Sequence, residues 1–213
     1  MAETIGCDEM VRMLQGAAEK VRAAHEMLSK LDSFAGDGDH GTTMKRAMGC
    51  VDKAVAESKG ADLACLLGNV GWAVLGVDGG STGPLLGTFF TGMSESVGGK
   101  AQLDCTGLAS ALEAALASVQ KQTKAQVGDK TMMDALVPAV RAVRAAADAG
   151  SGPAEALARA AAAAEVGAAS TKDMRARFGR ARNLGDRSIG SPDPGATSMS
   201  LMFKGFAEAL AAK

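Results

Sequence analysis

The sequence predicts an all-α protein, an eight-helix antiparallel up-and-down bundle or barrel. Hydrophobic residues make up 47% of the 213 residues but aromatic residues only 3%. The core must therefore be aliphatic, which suits closely packed helices better than strands. Apolar residues recur in steps of three and four over long stretches, and no convincing strand alternation appears. The 27 glycines cluster between those stretches, where loops need unusual backbone angles or a close approach to a ligand.

The first four helices are predicted near 5–30, 41–58, 61–77 and 84–97. The first carries an unbroken apolar stripe, made by Met10, Leu14, Ala17, Val21, Ala24, Leu28 and Leu31. The second and the fourth each follow a glycine-rich stretch, "GDGDHG" and "DGGSTG". The third contains "LLGNVGWAVLGV", which is apolar but interrupted by glycine, and we interpret it as a buried helix.

The last four helices are predicted near 104–124, 131–149, 152–169 and 195–212, with a short helical piece near 171–178. Asp104 and Asp193 are the expected N-caps, and Pro194 occupies the favoured first helical position. The alanine-rich stretch before residue 170 is expected to be a packing helix, because alanine is the best helix former. Short connections imply antiparallel neighbours.

Several classes of protein are excluded by composition. A net charge of −1 leaves no basic excess for phosphate-backbone contacts, which argues against nucleic acid as a partner. The N-terminus is acidic and lacks a signal-peptide core, and no run of about 18 apolar residues could span a membrane. The four cysteines are scattered, so reduced thiols in the cytoplasm are expected rather than zinc ligands or disulfides. No linker is apparent, and residues 1–213 are predicted to form a single domain.

The stretch "LDSFAGDGDHGTT", residues 31–43, crowds Asp32, Asp37 and Asp39 into a segment that we expect to be non-helical. Two carboxylates about 5 Å apart repel by about 3 kcal/mol at an effective dielectric near 20. Either this is a solvated turn or a cation binds there, and Mg²⁺ typically takes one or two carboxylates together with substrate phosphates. The spacing does not fit an EF-hand, since Gly41 and Met48 fall at its fifth and twelfth positions.

Three further loops contain groups that suit phosphate or a nucleotide. After the acidic stretch, residues 40–43 open a helix, whose free N–H groups attract anions. The loop "DGGSTGPLLG", residues 78–87, offers backbone N–H groups and hydroxyls but lacks the lysine of a P-loop. "VGDKTMMDALVPA", residues 127–139, and the arginine-rich 179–198 complete the set. Each loop taken alone also suits a plain turn or a helix cap.

Taken together, the four loops supply acidic ligands, N–H-rich turns and the guanidinium groups of Arg180, Arg182 and Arg187. Those are the components needed to bind a nucleotide with Mg²⁺ for phosphoryl transfer. In an up-and-down bundle, loops that follow odd-numbered helices share one end. The four loops follow the first, third, fifth and seventh predicted helices, so the sequence predicts one nucleotide site at one end of the bundle.

The motifs "GDGDHGTTM", "GGSTGPLLGTFF", "GDKTMMDAL" and "GRARNLGDRSIGSPDPGATS" resemble the L subunit, the nucleotide-binding part, of dihydroxyacetone kinases. The match runs over residues 31–198 in the same order, and the length suits a free-standing L subunit. The resemblance implies an eight-helix barrel that binds ADP or ATP at one end. It also implies that a separate K subunit holds a small keto-polyol acceptor, and that the phosphodonor is either a phosphoprotein of the sugar phosphotransferase system or ATP.

The resemblance also implies roles for individual residues. Two Mg²⁺ ions would be held by Asp32, Asp37 and Asp39. The nucleotide would be contacted by His40, Gly41, Thr42, Thr43, Ser81, Thr82, Met132, Arg180, Asp193, Pro194 and Gly195. No general base is expected on this chain, since the acceptor lies on the partner.

Two residues depart from the family's pattern. Thr43 stands where asparagine is common, and Asn183 where an aromatic residue is common. These differences bear on the identity of the substrate more than on the chemistry, because the three aspartates are present. A non-catalytic nucleotide-binding subunit that acts on a regulator protein would need the same loops and stays an alternative.

Overall fold

Nine α-helices account for most of residues 4–212, the part of the chain that the computed structural model describes. In chain order they are α1 (Cys7–Ala23), α2 (His25–Ala35), α3 (His40–Glu57), α4 (Leu63–Leu75), α5 (Thr82–Val97), α6 (Cys105–Gln122), α7 (Met133–Asp148), α8 (Pro153–Ser170) and α9 (Pro194–Ala211). Two 3₁₀ segments, Thr171–Asp173 and Arg180–Ser188, lie between α8 and α9. The all-α prediction is confirmed.

Eight of these helices form a closed ring. From α3 to α9 each helix packs against the next one in the chain, α9 packs against α1, and α1 packs against α3. The up-and-down arrangement therefore closes on itself as a barrel. The remaining helix, α2, lies outside this ring; it follows α1 and packs on α3 and α9.

Small residues allow the ring to close between α1 and α9. A Cβ placed on Gly205 would lie 2.6 Å from the backbone nitrogen of Ala17, and one on Gly16 would lie 2.9 Å from the carbonyl oxygen of Gly205. The two backbones are therefore in direct contact. Inside the ring the core is mostly aliphatic, as expected, with a few fully buried aromatic rings such as Phe89 and Phe203.

The first predicted helix, 5–30, is wrong in its extent. The chain breaks at Ala24 and resumes as α2, which continues to Ala35. The break is stabilised by His25, whose Nδ1 lies 2.9 Å from the carbonyl oxygen of Arg22. That bond satisfies a carbonyl that the end of α1 leaves free. The expectation that residues 31–43 are non-helical is correspondingly wrong for Asp32, which lies within α2.

Other local predictions are confirmed with limits. The carboxylates of Asp104 and Asp193 each accept an N–H bond of 2.7 Å as N-caps, and Pro194 begins α9. The apolar segment of α4 is a helix, but its Trp72 is 71% exposed. The short piece predicted near 171–178 ends at Asp173. The 3₁₀ segment after it, in a stretch that we expected to be an irregular loop, was not predicted.

All four cysteines are free thiols. Within residues 4–212, each helix falls short of the length or the apolar character that crossing a lipid bilayer requires.

Candidate functional site

One end of the barrel opens into a cavity of about 510 Å³. Its wall is formed mainly by the connections α2–α3, α4–α5, α6–α7 and α8–α9. These are the four loops that the sequence predicts at a common end, and the structure brings them together. The volume falls in the range of about 300–1,000 Å³ that is typical of small-molecule sites.

The three predicted metal ligands come together beside this cavity: Asp32 and Asp39 line it, and Asp37 lies next to them, outside the lining. Asp32 lies in the last turn of α2, Asp37 in the following turn, and Asp39 immediately before α3. One carboxylate oxygen of each lies within 4.8 Å of the others, and this is the only such group of potential ligands within residues 4–212. A donor set made of carboxylate oxygens alone suits a hard divalent cation such as Mg²⁺.

Two neighbouring groups hold these carboxylates in place. The backbone N–H of His40 donates to Oδ2 of Asp32 over 3.2 Å, and the guanidinium of Arg180 forms an ion pair with Asp37. Asp39 occupies the N-cap position of α3, but its side chain makes no capping bond. Its carboxylate is therefore not committed to the helix and remains able to bind a cation.

The start of α3 is divided between the cavity and the protein interior. His40 lines the cavity, and its Nε2 lies 3.1 Å from Oγ of Ser198. Burial lowers the pKa of His40, although Asp32 and Asp39 oppose that shift; burial thus favours the neutral imidazole.

The next three residues of α3, Gly41, Thr42 and Thr43, lie outside the cavity lining. Gly41 and Thr43 are buried in helix packing, and Thr42 is exposed. The structure therefore brings His40, but not these three side chains, to the cavity wall.

The second loop presents backbone to the cavity, with its glycines in conformations that other residues avoid. Gly79 and Gly80 have φ values of +132° and +59°, and a Cβ on Gly79 would collide with Thr43. Ser81 and Thr82 line the cavity at the start of α5, and Ser81 makes no capping bond with its own side chain. The hydroxyls and the N–H groups of this helix start are placed to bind an anion.

The apolar part of the cavity lining is rich in methionine. Met132 lies there with Leu85, Phe178, Met199 and Met202. The α9 start that carries Asp193, Pro194 and Gly195 closes over Met132, because a Cβ on Gly195 would lie 3.5 Å from the Met132 nitrogen. Arg180 lines the cavity, whereas Arg182 and Arg187 are exposed and lie outside it.

Two residues of the third loop, one lining the cavity and one holding the loop behind it, were missed by sequence reasoning. Asp134 is 1% exposed and accepts bonds from the N–H groups of Gly128 and Thr131, at 2.6 and 2.7 Å. The sequence did contain a signal for Asp134, since Thr131 and Asp134 have the spacing of a capping box. Lys130, which is 4% exposed and lines the cavity, had no such signal, because the groups that it binds are backbone carbonyls.

Asp193 is the group in the site whose pKa is most displaced. Burial raises the pKa of its carboxyl from 3.8 to about 7. The nearby Asp134 carboxylate adds to that rise in pKa, whereas the N–H of Ala196 and the Lys130 ammonium oppose it. The residue keeps partial access to solvent through the cavity, which makes the energetic cost of ionisation smaller than full burial would impose.

Asp193→Asn is expected to become more stable relative to the unchanged protein as pH rises. An unfolded Asp193 ionises near pH 3.8 and the folded one near pH 7, so ionisation weakens the folded state progressively between about pH 4 and 7. Asparagine keeps the capping oxygen but does not ionise. The difference in melting temperature, measured without ligand, should grow over that pH range and become constant above about pH 8. A difference that is the same at pH 5 and pH 8 would contradict the raised pKa.

Comparison with known proteins gives a consistent set of matches. The DAK2 domain family matches residues 34–208. The ADP-binding subunit DhaL of PEP-dependent dihydroxyacetone kinase 1 from Listeria innocua is 38% identical over 196 residues, which cover 92% of this chain and 93% of that protein. The corresponding subunit from Escherichia coli is 37% identical and covers 96% and 97% of the two chains.

A solved structure is similar as well. The dihydroxyacetone kinase of C. freundii, in complex with AMP-PNP and Mg²⁺, superposes on this fold with a TM-score of 0.70 at 27% identity. The match covers 93% of this chain but only 33% of that longer one. The fold found here therefore corresponds to one part of a larger kinase chain.

Proposed function

This chain belongs to the DAK2 domain family, and from that membership we propose that it is the ADP- or ATP-binding subunit of a dihydroxyacetone-type kinase. It transfers a phosphoryl group to an alcohol group of a small keto-polyol, such as dihydroxyacetone. The observation that carries this proposal is one cavity whose lining brings together two helix starts, an arginine and two of the three carboxylates of an all-oxygen acidic cluster. The closed ring of helices supports a single domain over residues 1–213.

In the proposed complex, the two kinds of residue in the cavity lining orient the nucleotide. Met132 and the other apolar residues suit the flat, apolar faces of a base. Ser81, Thr82 and Arg180 suit the phosphates. Gly41 and Thr42 carry the N–H groups of the first turn of α3 and would contact phosphate through the backbone. Thr43 would act through packing, because its side chain is 1% exposed.

Two Mg²⁺ ions are proposed to lie among Asp32, Asp37 and Asp39. An Mg²⁺–oxygen bond is about 2.1 Å long, so oxygens within 4.8 Å of one another can become ligands with small side-chain rotations. Bound there, Mg²⁺ would neutralise charge that develops on the transferred group. The residues of this chain bind and orient the nucleotide. No side chain of this chain is assigned as a general base.

The remaining parts of the reaction are proposed to come from partners. A substrate-binding K subunit would hold the keto-polyol. The relatives from Listeria innocua and Escherichia coli are named PEP-dependent, which supports a phosphoprotein of the phosphotransferase system as the donor that recharges ADP. A cytoplasmic location and the absence of nucleic-acid and membrane partners stay predictions from composition.

Single-turnover phosphate transfer tests this function. The chain is mixed with Mg²⁺, ADP, a K subunit and dihydroxyacetone, and then receives either ATP or the phosphorylated carrier protein. Triose phosphate is expected only in the complete mixture. The donor that produces it shows whether this protein uses ATP or a phosphoprotein. Nucleotide binding without transfer in either mixture would favour the regulatory alternative.

A thermal shift provides the simplest test of binding. ADP at 100 times its dissociation constant should stabilise the protein by about 2.7 kcal/mol, and only when Mg²⁺ is present. A melting temperature that ADP and Mg²⁺ together leave unchanged would remove the basis of the proposal.

A further inference from the structure

Lys130 has an unusual backbone conformation. Within residues 4–212 it is the one residue other than glycine with a positive φ, at +59°. This region is disfavoured for residues that carry a Cβ and is retained where the surrounding structure requires it. Gly128, two residues earlier, has a φ of +99°, which glycine adopts at no steric cost because it has no Cβ. The presence of a lysine at position 130 is therefore explained by its side chain rather than by its backbone.

The side chain of Lys130 joins two distant points of the chain. Its ammonium donates to the carbonyl oxygen of Thr171 over 2.7 Å and to that of Ser191 over 2.6 Å. These carbonyls stand at the two ends of the segment 171–191, which carries Arg180. One buried cation thus fastens both ends of this segment to the turn before α7.

Other hydrogen bonds also hold the two ends of this segment together. The N–H of Gly190 donates to the carbonyl oxygen of Lys172 over 2.8 Å, and the N–H of Asp193 donates to Oγ1 of Thr171, also over 2.8 Å. These bonds join the segment to itself and to the start of α9. Between its two ends the segment is also tied to the α6–α7 connection by Arg177, whose N–H donates to the carbonyl oxygen of Asp129 over 3.1 Å and whose guanidinium forms an ion pair with the Asp129 carboxylate. The bonds of Lys130 are the ones that hold the two ends of the segment to that connection.

The surroundings of Lys130 favour this structural use of its charge. Burial lowers the pKa of the ammonium, while Asp193, Asp173 and Asp134 raise it. Hydrogen bonds from a charged donor are about twice as strong as neutral ones. Replacing the ammonium by an apolar group would leave the carbonyl oxygens of Thr171 and Ser191 without that donor.

We propose that Lys130 is a positioning residue for nucleotide binding, which holds the segment 171–191 so that Arg180 lies over the acidic cluster. The ion pair between Arg180 and Asp37 is the contact that this placement produces. This inference rests on the proposed function, and it adds a residue that acts through Arg180 rather than by touching the nucleotide.

The test uses the full chain with Lys130→Met and, as a matched control, Lys172→Met, which changes an exposed lysine of the same segment. Hydrogen exchange without nucleotide should become faster across 171–191 in Lys130→Met, but not in α4 and α5. The affinity for ADP with Mg²⁺ should fall by about 10- to 100-fold, by analogy with residues that orient the ligands of a metal. The control should leave both measurements unchanged. If Lys130→Met fails to fold, Lys130→Gln, which keeps a donor on a shorter side chain, takes its place.

A double-mutant cycle with Arg180→Ala separates positioning from general stability. If Lys130 acts through Arg180, the double variant should bind ADP no more weakly than Arg180→Ala alone. Additive losses, or exchange and affinity that match the unchanged protein, would overturn the proposal. If the unchanged protein binds no ADP, the proposed function fails. Exchange across 171–191 in Lys130→Met then decides separately whether the lysine anchors the segment.

Discussion

Asp37→Ala is expected to weaken Mg²⁺-dependent ADP binding by more than about 100-fold and to abolish phosphoryl transfer. Replacing a residue that only orients a metal ligand typically lowers metal affinity or activity by about 10- to 100-fold, and Asp37 is proposed as a ligand itself. With Asp37 removed, only the Asp32 and Asp39 carboxylates remain for the two proposed ions, which lowers both the negative charge and the number of protein ligands available to each. Titration calorimetry with ADP, at several Mg²⁺ concentrations, measures the loss directly.

The same substitution should hardly change the stability of the ligand-free protein. The side chains of Asp37 and Arg180 are 42% and 62% exposed, and an exposed ion pair contributes less than about 1 kcal/mol. Removing one carboxylate also relieves repulsion within the cluster. A melting temperature within a few degrees of the original, together with lost binding, would therefore assign the effect to the ligand site.

Asp186→Ala is the matched control for this experiment. Asp186 forms a comparable exposed ion pair with Arg175 on the segment that also carries Arg180, but unlike Asp37 it is not part of the acidic cluster. Its replacement should leave ADP affinity and transfer unchanged. If Asp37→Ala behaved in the same way as Asp186→Ala, the acidic cluster would not be the metal site.

The sequence was sufficient for the ring of helices because each helix carries its own periodic apolar face and its own ends. The Asp104 and Asp193 caps are local signals of this kind, since a side chain and a nearby N–H define them. The break at Ala24 is different. The apolar stripe continues through it, and the break is stabilised by a side-chain bond from His25 to the carbonyl of Arg22, which periodicity does not reveal.

The candidate site could be predicted to a similar extent. The acidic cluster and the glycine-rich turns have recognisable compositions, and the structure gathers most of their residues around one cavity. The role of Lys130 depends on carbonyl oxygens 41 and 61 residues away, and every residue has such an oxygen. The burial of Thr43 against Gly79 likewise follows from how α3 meets the second loop, which is a tertiary relationship.

Gly41→Ala is expected to lower the melting temperature by about 4–8 °C and to weaken Mg²⁺–ADP binding. A Cβ on Gly41 would collide with the carbonyl oxygen of His25 and would lie 2.7 Å from the backbone nitrogen of Ser29. Both are backbone atoms of α2, so α2 must move away from α3. Because backbone atoms cannot rotate away, the cost lies near the upper end of the range for overpacking, about 3 kcal/mol, against roughly 1 kcal/mol that alanine gains over glycine in a helix. The net loss of about 2 kcal/mol corresponds to about 4–8 °C for a chain of this length.

Moving α2 also affects the proposed metal ligands, because Asp32 lies in α2 and Asp39 directly precedes α3. Displacing α2 moves Asp32 relative to Asp39, so affinity for Mg²⁺–ADP should fall together with stability. Gly49→Ala, in the same helix, is the control: Gly49 is exposed, and a Cβ there would meet nothing within 4 Å. It should raise the melting temperature by about 2–4 °C, following the helix propensity of alanine, with binding unchanged. Opposite signs for the two alanines are the expected result, and an increase in both would show that α2 and α3 do not meet at Gly41.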